Sequence, residues 1–249
     1  MEKENIISVR PTKVVYRNGD KIVKSFVEGY LKSDVLNEAL NQARVEEIGL
    51  NIPKVISVDV IDNRWTITSE YIEGETLDSL MRKHPEKEEE YLQLMVDLQL
   101  DVLSRKCPLL HKLKDKLRRK LKETAFDDTV KYDLNTALEG TPKHDKLCHG
   151  DFNPSNIVIT EDGKKYILDW AHASQGNASA DAAQSYLILY LNYGGIMAEK
   201  YLNLFVAQSG IAKKTIQKWL PVVAAAKTLN CQEEELDFLN RWVNVVEYE

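Results

Sequence analysis

Three short stretches near the amino terminus carry apolar residues in strand-length runs: Ile6-Ile7-Ser8-Val9, Lys13-Val14-Val15-Tyr16 and Lys21-Ile22-Val23-Lys24-Ser25-Phe26. Runs this short, rich in β-branched residues and bounded by turn signals, predict strands. Asn18-Gly19-Asp20 separates the last two, and Asn-Gly marks a hairpin because both residues tolerate positive φ. From Ser33-Asp34, one of which is expected to cap it, a helix follows with Leu36, Ala39, Leu40, Ala43 and Glu47 along one face. Gly49 and Pro53 end it. Two further strands are expected around residues 55–61 and 65–71, joined by Asp62-Asn63. The order β-β-β-α-β-β describes a compact antiparallel sheet with one helix.

Beyond Gly74 helical spacing dominates from Thr76 to about Leu138, broken by Pro85 and Pro108. Leu110, Leu113, Leu117 and Leu121 share one stripe, with Lys112, Lys114, Lys116, Arg118, Arg119, Lys120 and Lys122 between them. Such a run reads as the solvated face of a helix before it reads as an anion site. Residues 147–170 return to short strands and a loop, and the remainder is helical, with turn signals at Gly194-Gly195, Gly210 and Pro221. The expected fold class is α+β: a small antiparallel-sheet part with one helix, residues 1–72, and a larger, mainly helical part, residues 73–249. The change at 72–75 is too short for a flexible linker, so the two parts are expected to share a cleft.

Charge and cysteine usage narrow the function. The net charge of −6 argues against nucleic acid as the main partner, because backbone binding needs a cationic surface. Cys107, Cys148 and Cys231 are far apart, with no C-x-x-C pair, so neither a disulfide framework nor a zinc ribbon is expected and a cytoplasmic setting is natural. The first residues, Met1-Glu2-Lys3-Glu4-Asn5, lack the basic-then-apolar profile of a signal peptide. No stretch approaches the roughly 20 apolar residues of a spanning helix, so no membrane partner is expected. Oligomeric state is not encoded in any of these patterns.

The chemistry-bearing stretch is Leu147-Cys148-His149-Gly150-Asp151-Phe152-Asn153-Pro154-Ser155-Asn156-Ile157-Val158-Ile159, followed by Lys165-Tyr166-Ile167-Leu168-Asp169-Trp170. Its polar skeleton is H-x-D-x-x-x-x-N, then an Asp that ends an apolar strand. Phosphoryl transfer needs a carboxylate to orient the hydroxyl nucleophile and hard oxygen ligands to hold Mg²⁺ on the phosphates. Asp151 suits the first role, and Asn156 and Asp169 suit the second. His111, His144 and His172 have no second ligand at metal spacing. Ser155 has no adjacent base of the nucleophile-elbow type.

His149-Gly150-Asp151 through Asn156, with Ile167-Leu168-Asp169-Trp170, resembles the catalytic segment of the aminoglycoside phosphotransferase and choline kinase-like family, whose members share the two-lobed protein kinase-like fold. The resemblance implies a kinase that uses Mg²⁺ and ATP, with GTP equally compatible, on a small hydroxylated substrate, cationic in the antibiotic kinases. It implies Asp151 as catalytic base and Asn156 and Asp169 as metal ligands. His149 would brace the loop, and Asp181 would hold it through backbone hydrogen bonds. Lys24 would contact the α- and β-phosphates, steadied by a glutamate; Glu38 matches by its distance to Pro53, although Glu46 and Glu47 lie nearer the expected apolar face. Glu70, Tyr71 and Ile72 would meet adenine through their backbone. Gly74 reads either as part of that segment or as a turn glycine. The acidic stretches Glu233-Glu234-Glu235 and Glu247-Tyr248-Glu249 would face a cationic substrate or simply lie on an exposed helix.

One departure from the family stands out: Val9-Arg10-Pro11-Thr12 occupies the place of a glycine-rich loop. It motivates a second reading, a catalytically silent module that binds nucleotide or protein. A third, a Mg²⁺-dependent hydrolase using Asp151 and Asp169 as metal ligands, would release phosphate without an acceptor.

Overall fold

The structure is a computed structural model that describes residues 5–243. The leader reading at residues 1–4 and the acidic stretch Glu247-Tyr248-Glu249 lie outside the described residues. Chain order runs β1 (Ile6–Arg10), β2 (Lys13–Asn18), β3 (Lys21–Phe26), α1 (Lys32–Glu46), β4 (Val55–Ile61), β5 (Arg64–Glu70), β6 (Glu75–Thr76) and α2 (Leu77–Lys83). It continues with α3 (Glu88–Ser104), α4 (Leu113–Glu123), α5 (Asp128–Glu139), β7 (Lys146–Cys148), β8 (Ile157–Ile159), β9 (Lys165–Ile167) and β10 (Ser174–Gly176). Helices α6 (Ala178–Tyr193), α7 (Gly195–Ser209), α8 (Lys213–Gln217), α9 (Leu220–Lys227) and α10 (Glu233–Val243) follow. Two compact units result: the chain up to Lys83 together with Pro154–His172, and His84–Asn153 together with the chain from Ala173 onward.

The first unit is built on a five-stranded antiparallel sheet, ordered β1-β2-β3-β5-β4. Its turns differ slightly from expectation. Asn18 closes β2, opposite Lys21, and the turn residues are Gly19 and Asp20. The β4–β5 hairpin turns on Asp62 and Asn63, at φ 50° and 60°, the left-handed pair that suits a two-residue hairpin. Phe26, Val35, Ala39 and Ile67 form the core beneath the sheet, with Tyr30, Val55, Val58 and Trp65 packed against it.

Helix α1 corrects the sequence reading at two points. Leu31 is its N-cap and makes no side-chain cap bond; Ser33 and Asp34 lie inside the first turn. Its buried face is Val35, Ala39, Asn41, Gln42 and Val45, while Leu36 and Leu40 are exposed. Polar groups on the buried face are used: Gln42 Nε2 donates to Pro53 O at 2.6 Å and Asn41 Nδ2 donates to Ala171 O at 3.1 Å. A buried amide whose bonds are made costs little, so this face is specified by hydrogen bonding as much as by apolar area.

A second, three-stranded sheet of the same unit, β6-β8-β9, carries the segment around Asn156 and Asp169. Gly74 sits where a Cβ would lie 2.4 Å from Ile159 O and 2.9 Å from Val158 Cγ1. It is therefore a close-approach glycine that lets the chain pass against β8.

The second unit is mainly helical. Leu92, Met95, Val96, Leu121, Leu138, Tyr201, Phe205 and Trp219 are buried in it. Strands β7 and β10 pair antiparallel, with Cys148 opposite Ser174. Helix α10 is fastened to α6 by rings: Tyr190 stacks on Phe238 at 4.5 Å, and Trp242 meets Tyr186 edge-on at 5.7 Å. Glu233, Glu234 and Glu235 form the first turn of α10, where negative charge is favourable, and Glu235 accepts the Gln232 N–H at 3.0 Å. Among the described residues no helix is long and apolar enough to cross a membrane.

Candidate active site

In the first unit one lysine gathers the charged groups. Lys24 Nζ lies 2.7 Å from Glu38 Oε1 and 2.9 Å from Asp169 Oδ1. Lys24 is on β3, Glu38 on the buried side of α1, and Asp169 two residues past β9. Burial alone would lower the Lys24 ammonium; the carboxylates of Asp169 and Glu38 outweigh it and hold the lysine above its ordinary range. Lys24 in turn holds the Asp169 carboxyl well below the usual carboxylate range, against the opposing effect of burial. Asp169 is thus an anion at any physiological pH. Lys13 joins the group, its Nζ 3.2 Å from both Glu38 oxygens.

Glu46 and Glu47 do not take the role of lysine partner: Glu46 Oε1 accepts the Val55 N–H at 2.7 Å, and Glu47 is the C-cap residue of α1. Lys13 is the member the sequence reading missed. Its signal was the period-two register, because Lys13 and Val15 share a face of β2 and Val15 pairs with Lys24.

The register of β8 and β9 places Asn156 beside the Asp169 segment. Ile157 pairs with Ile167, and the Leu168 N–H continues the ladder to Asn156 O at 2.8 Å. Asp169 follows with φ 59°, a left-handed conformation that Asp adopts more readily than most residues. Asn156 and Asp169 offer one neutral and one anionic hard oxygen ligand. This donor set fits Mg²⁺, which takes few protein ligands and completes its octahedron with water and phosphate oxygens. Among the described residues no cluster of three or more His, Cys, Asp or Glu forms a metal site by protein ligands alone.

At the end of β5 the backbone is partly committed. The Glu70 N–H donates to Lys54 O at 3.0 Å and the Tyr71 N–H to Asp20 O at 2.9 Å. The Arg17 guanidinium lies over the Tyr71 ring, 3.9 Å from its centroid. Among the described residues the Ile72 N–H makes no backbone hydrogen bond of this kind.

The second unit holds the loop after β7. His149 is fully buried, and its Nδ1 accepts the Asp151 N–H at 3.2 Å. Asn153 Nδ2 donates to Asp151 O at 2.9 Å. Asp181, in the first turn of α6, accepts the Gly150 N–H at 2.8 Å on one oxygen and Gln99 Nε2 at 2.9 Å on the other. Burial pushes the Asp181 carboxyl up, and the bonds from Gln99 and the loop backbone work against that rise. The network extends further: Tyr201 Oη donates to Gln99 Oε1 at 2.6 Å, and Ser185 Oγ donates to Phe152 O at 2.8 Å. Six side chains from three helices and the loop thus fix the backbone that carries Asp151. Gln99, Ser185 and Tyr201 carried no signal in the sequence, because each is an isolated polar residue on an otherwise apolar helix face.

The phosphotransferase enzyme family model matches residues 10–206. No curated protein sequence matches the chain. Among solved structures it is similar to an aminoglycoside-3'-phosphotransferase of type VIII, at 14% identity and TM-score 0.67, covering 89% of this chain and 93% of that one. A thermostable mutant of aminoglycoside phosphotransferase APH(4)-Ia is similar at 14% identity and TM-score 0.69, with coverage of 95% and 91%. Choline kinase LicA from Streptococcus pneumoniae is similar at 16% identity and TM-score 0.64, with coverage of 95% and 90%. These likenesses establish the protein kinase-like fold, and the match over residues 10–206 shows that the chain belongs to the phosphotransferase enzyme family.

Proposed function

We propose that the chain is a small-molecule kinase that moves the γ-phosphate of ATP, or of GTP, onto a hydroxyl of a small acceptor, with Asp151 as the base. The observation that carries this reading is the Lys24–Glu38–Asp169 arrangement, a cation fixed between two carboxylates next to the Asn156 segment. Residues 1–72 would cover the nucleotide, with the Ile72 N–H meeting adenine and Lys24 the α- and β-phosphates. Residues 73–249 would carry the base, the metal ligands and the acceptor. Asn156 and Asp169 would hold Mg²⁺, which when bound neutralises charge on the phosphates.

In the transfer the acceptor hydroxyl oxygen forms a bond to the γ-phosphorus, and the bond from that phosphorus to the β–γ bridging oxygen breaks. The electron pair leaves with the nucleoside diphosphate, and the hydroxyl proton passes to the Asp151 carboxylate. Asp181 and His149 position Asp151 by fixing its backbone. In the similar structures, one of APH(4)-Ia is a ternary complex with AMP-PNP and hygromycin B, and one of LicA is a complex with AMP. Those ligands support a site for nucleotide and small acceptor here. The free cysteines Cys107, Cys148 and Cys231 suit the reducing cytoplasm.

A second reading, a silent nucleotide-binding module, is favoured by the two-residue turn Pro11-Thr12 between β1 and β2, where a glycine-rich cover would stand. One experiment separates them: nucleotide consumption with Mg²⁺ over amino alcohols, aminocyclitols, sugars and hydroxy acids, with Asp151→Ala as the blank. The kinase reading predicts acceptor-dependent consumption that the blank lacks. Stabilisation by Mg-nucleotide without consumption on any acceptor selects the silent module.

A further inference from the structure

The turn between β1 and β2 consists of Pro11 and Thr12, and the backbone on both sides of it is tied down. Arg10 pairs with Lys13 across it, and Thr12 O accepts the Val27 N–H at 3.0 Å, one step beyond the Lys13–Phe26 pair of β2 and β3. A glycine-rich cover works by laying backbone N–H groups over phosphate oxygens. This turn is poorly made for that: Pro11 has no N–H, and so short a turn leaves no loop to close over a ligand.

The first side chain after the turn is a cation. Lys13 opens β2 on the same face as Val15, which pairs with Lys24, so both lysines project from one face of the sheet, Lys13 one side-chain step nearer the turn. Both reach Glu38: Lys24 Nζ lies 2.7 Å from Oε1, and Lys13 Nζ lies 3.2 Å from each oxygen. Their commitments differ. Lys24 also holds Asp169 at 2.9 Å and is clamped between two carboxylates, whereas Lys13 has a share of one, at longer range. Among the described residues Lys13 makes no further hydrogen bond or ion pair, so at least one of its three N–H donors is left over. Its side chain keeps 18% of its surface exposed, enough for a ligand to reach it, and its Nζ stands 5.6 Å from the centroid of the Phe26 ring. Lys13 is also close enough to Asp169 to help Lys24 hold that carboxyl low.

We propose that Lys13 is a second phosphate-binding residue, its ammonium donating to an oxygen of the nucleotide's β- or γ-phosphate in place of the missing glycine-rich cover. The proposal deepens the kinase reading and rests on a nucleotide binding at Lys24. Charge and position both support it. Two ammoniums balance two carboxylates in the free site. A metal ion on Asp169 would take that carboxylate out of the balance, and Glu38 alone would leave positive charge facing the phosphates. The step from Lys24 toward the turn also runs toward the place where a cover would stand. A charge-assisted bond from a side chain rooted in β2 would then tie the phosphates to the sheet itself rather than to a flap.

Calorimetric titration of the full chain with Mg-AMP-PNP, Mg-ADP and AMP is the test. Lys13→Gln should weaken Mg-AMP-PNP binding by about tenfold or more, as for a lost charge-assisted bond, and leave AMP within about twofold. Mg-ADP follows Mg-AMP-PNP if the contact is to the β-phosphate and is spared if it is to the γ-phosphate. Lys13→Arg should retain affinity, and Lys21→Gln, on the opposite face of β3 from Lys24, should leave all three ligands unchanged. If Lys13 acted only by steadying Glu38 and Lys24, AMP would weaken in the same proportion, because Lys24 also meets the α-phosphate. Removing a positive neighbour of Asp169 would by itself favour a bound dication, so a weakening points to the phosphates. Amine acetylation of the parent chain, read by mass spectrometry, needs no variant to fold: Mg-AMP-PNP should protect Lys13 and AMP should not. Unchanged Mg-AMP-PNP affinity in Lys13→Gln, an equal loss for AMP, or no protection of Lys13 would overturn the proposal and leave the kinase reading standing. A parent chain that binds none of the three ligands would overturn both. Lys13-dependent binding without consumption on any acceptor would sink the kinase reading and leave the Lys13 site in place.

Discussion

Lys24 and Asp169, 145 residues apart in the chain, are joined by a 2.9 Å ion pair, and the same ammonium binds Glu38 at 2.7 Å. One side chain therefore ties β3, helix α1 and the segment after β9 into a single charged group. Lys24→Met would leave Glu38 and Asp169 close together without their shared cation. Because the lysine is mostly buried and Asp169 is partly solvated, a loss of about 3 kcal/mol is expected, near the low end for breaking a buried pair. Urea denaturation of Lys24→Met, Glu38→Gln and the double variant checks it. The two losses should fall short of additive by at least about 1 kcal/mol; simple additivity would mean the pair is not coupled.

Gly74 gives a second, independent test. At a site with room, Gly→Ala stabilises by roughly 0.4–1 kcal/mol through the unfolded chain. At Gly74 the new Cβ would lie 2.4 Å from a strand carbonyl, so Gly74→Ala should instead cost about 1–3 kcal/mol. A melting temperature at or above that of the parent chain would show that β8 is free to move away.

Lys116 makes the stability of the chain depend on pH. The unfolded side chain titrates at 10.5 and the folded one at about 7, so between those values the unfolded state binds more protons. Stability contributed by this group therefore rises with pH across that window. Lys116→Gln should remove up to about 1.4 kcal/mol per pH unit of that rise. Chemical denaturation at pH 7, 8 and 9 measures the slope, and identical slopes in the two proteins would show that Lys116 is solvated.

The strands of the first unit were legible because β-rich runs between hairpin turn residues leave few alternatives. The face of α1 was not. Leu36 and Leu40 suggested an apolar stripe, whereas the buried face is completed by Glu38, Asn41 and Gln42, whose partners lie on β2, β3, at Pro53 and at Ala171. A polar residue buried because its bonds are made is invisible to a hydrophobic wheel. For the same reason a wheel centred on the leucines turned attention to Glu46 and Glu47. The skeleton His149, Asp151, Asn156 and Asp169 stood out because its spacing suits phosphoryl transfer. The supports around it were not: Gln99 and Tyr201 reach Asp181 and each other across 82 and 102 positions of sequence, with no local pattern to mark them. The basic run on α4 looked like one solvated face, whereas Lys116 and Lys120 are partly buried.

The central claim is that the carboxylate of Asp151 receives the proton of the acceptor hydroxyl during phosphoryl transfer. Asp151→Asn keeps the size of the side chain and the backbone bonds to His149 and Asn153 while removing the base. Its kcat on the best acceptor, measured together with its Kd for Mg-AMP-PNP, is the most direct test. A fall in kcat of at least about a thousandfold with nucleotide affinity within threefold of the parent is the predicted result, since general-base catalysis contributes about 10²–10⁴-fold. Turnover within tenfold of the parent would contradict the account.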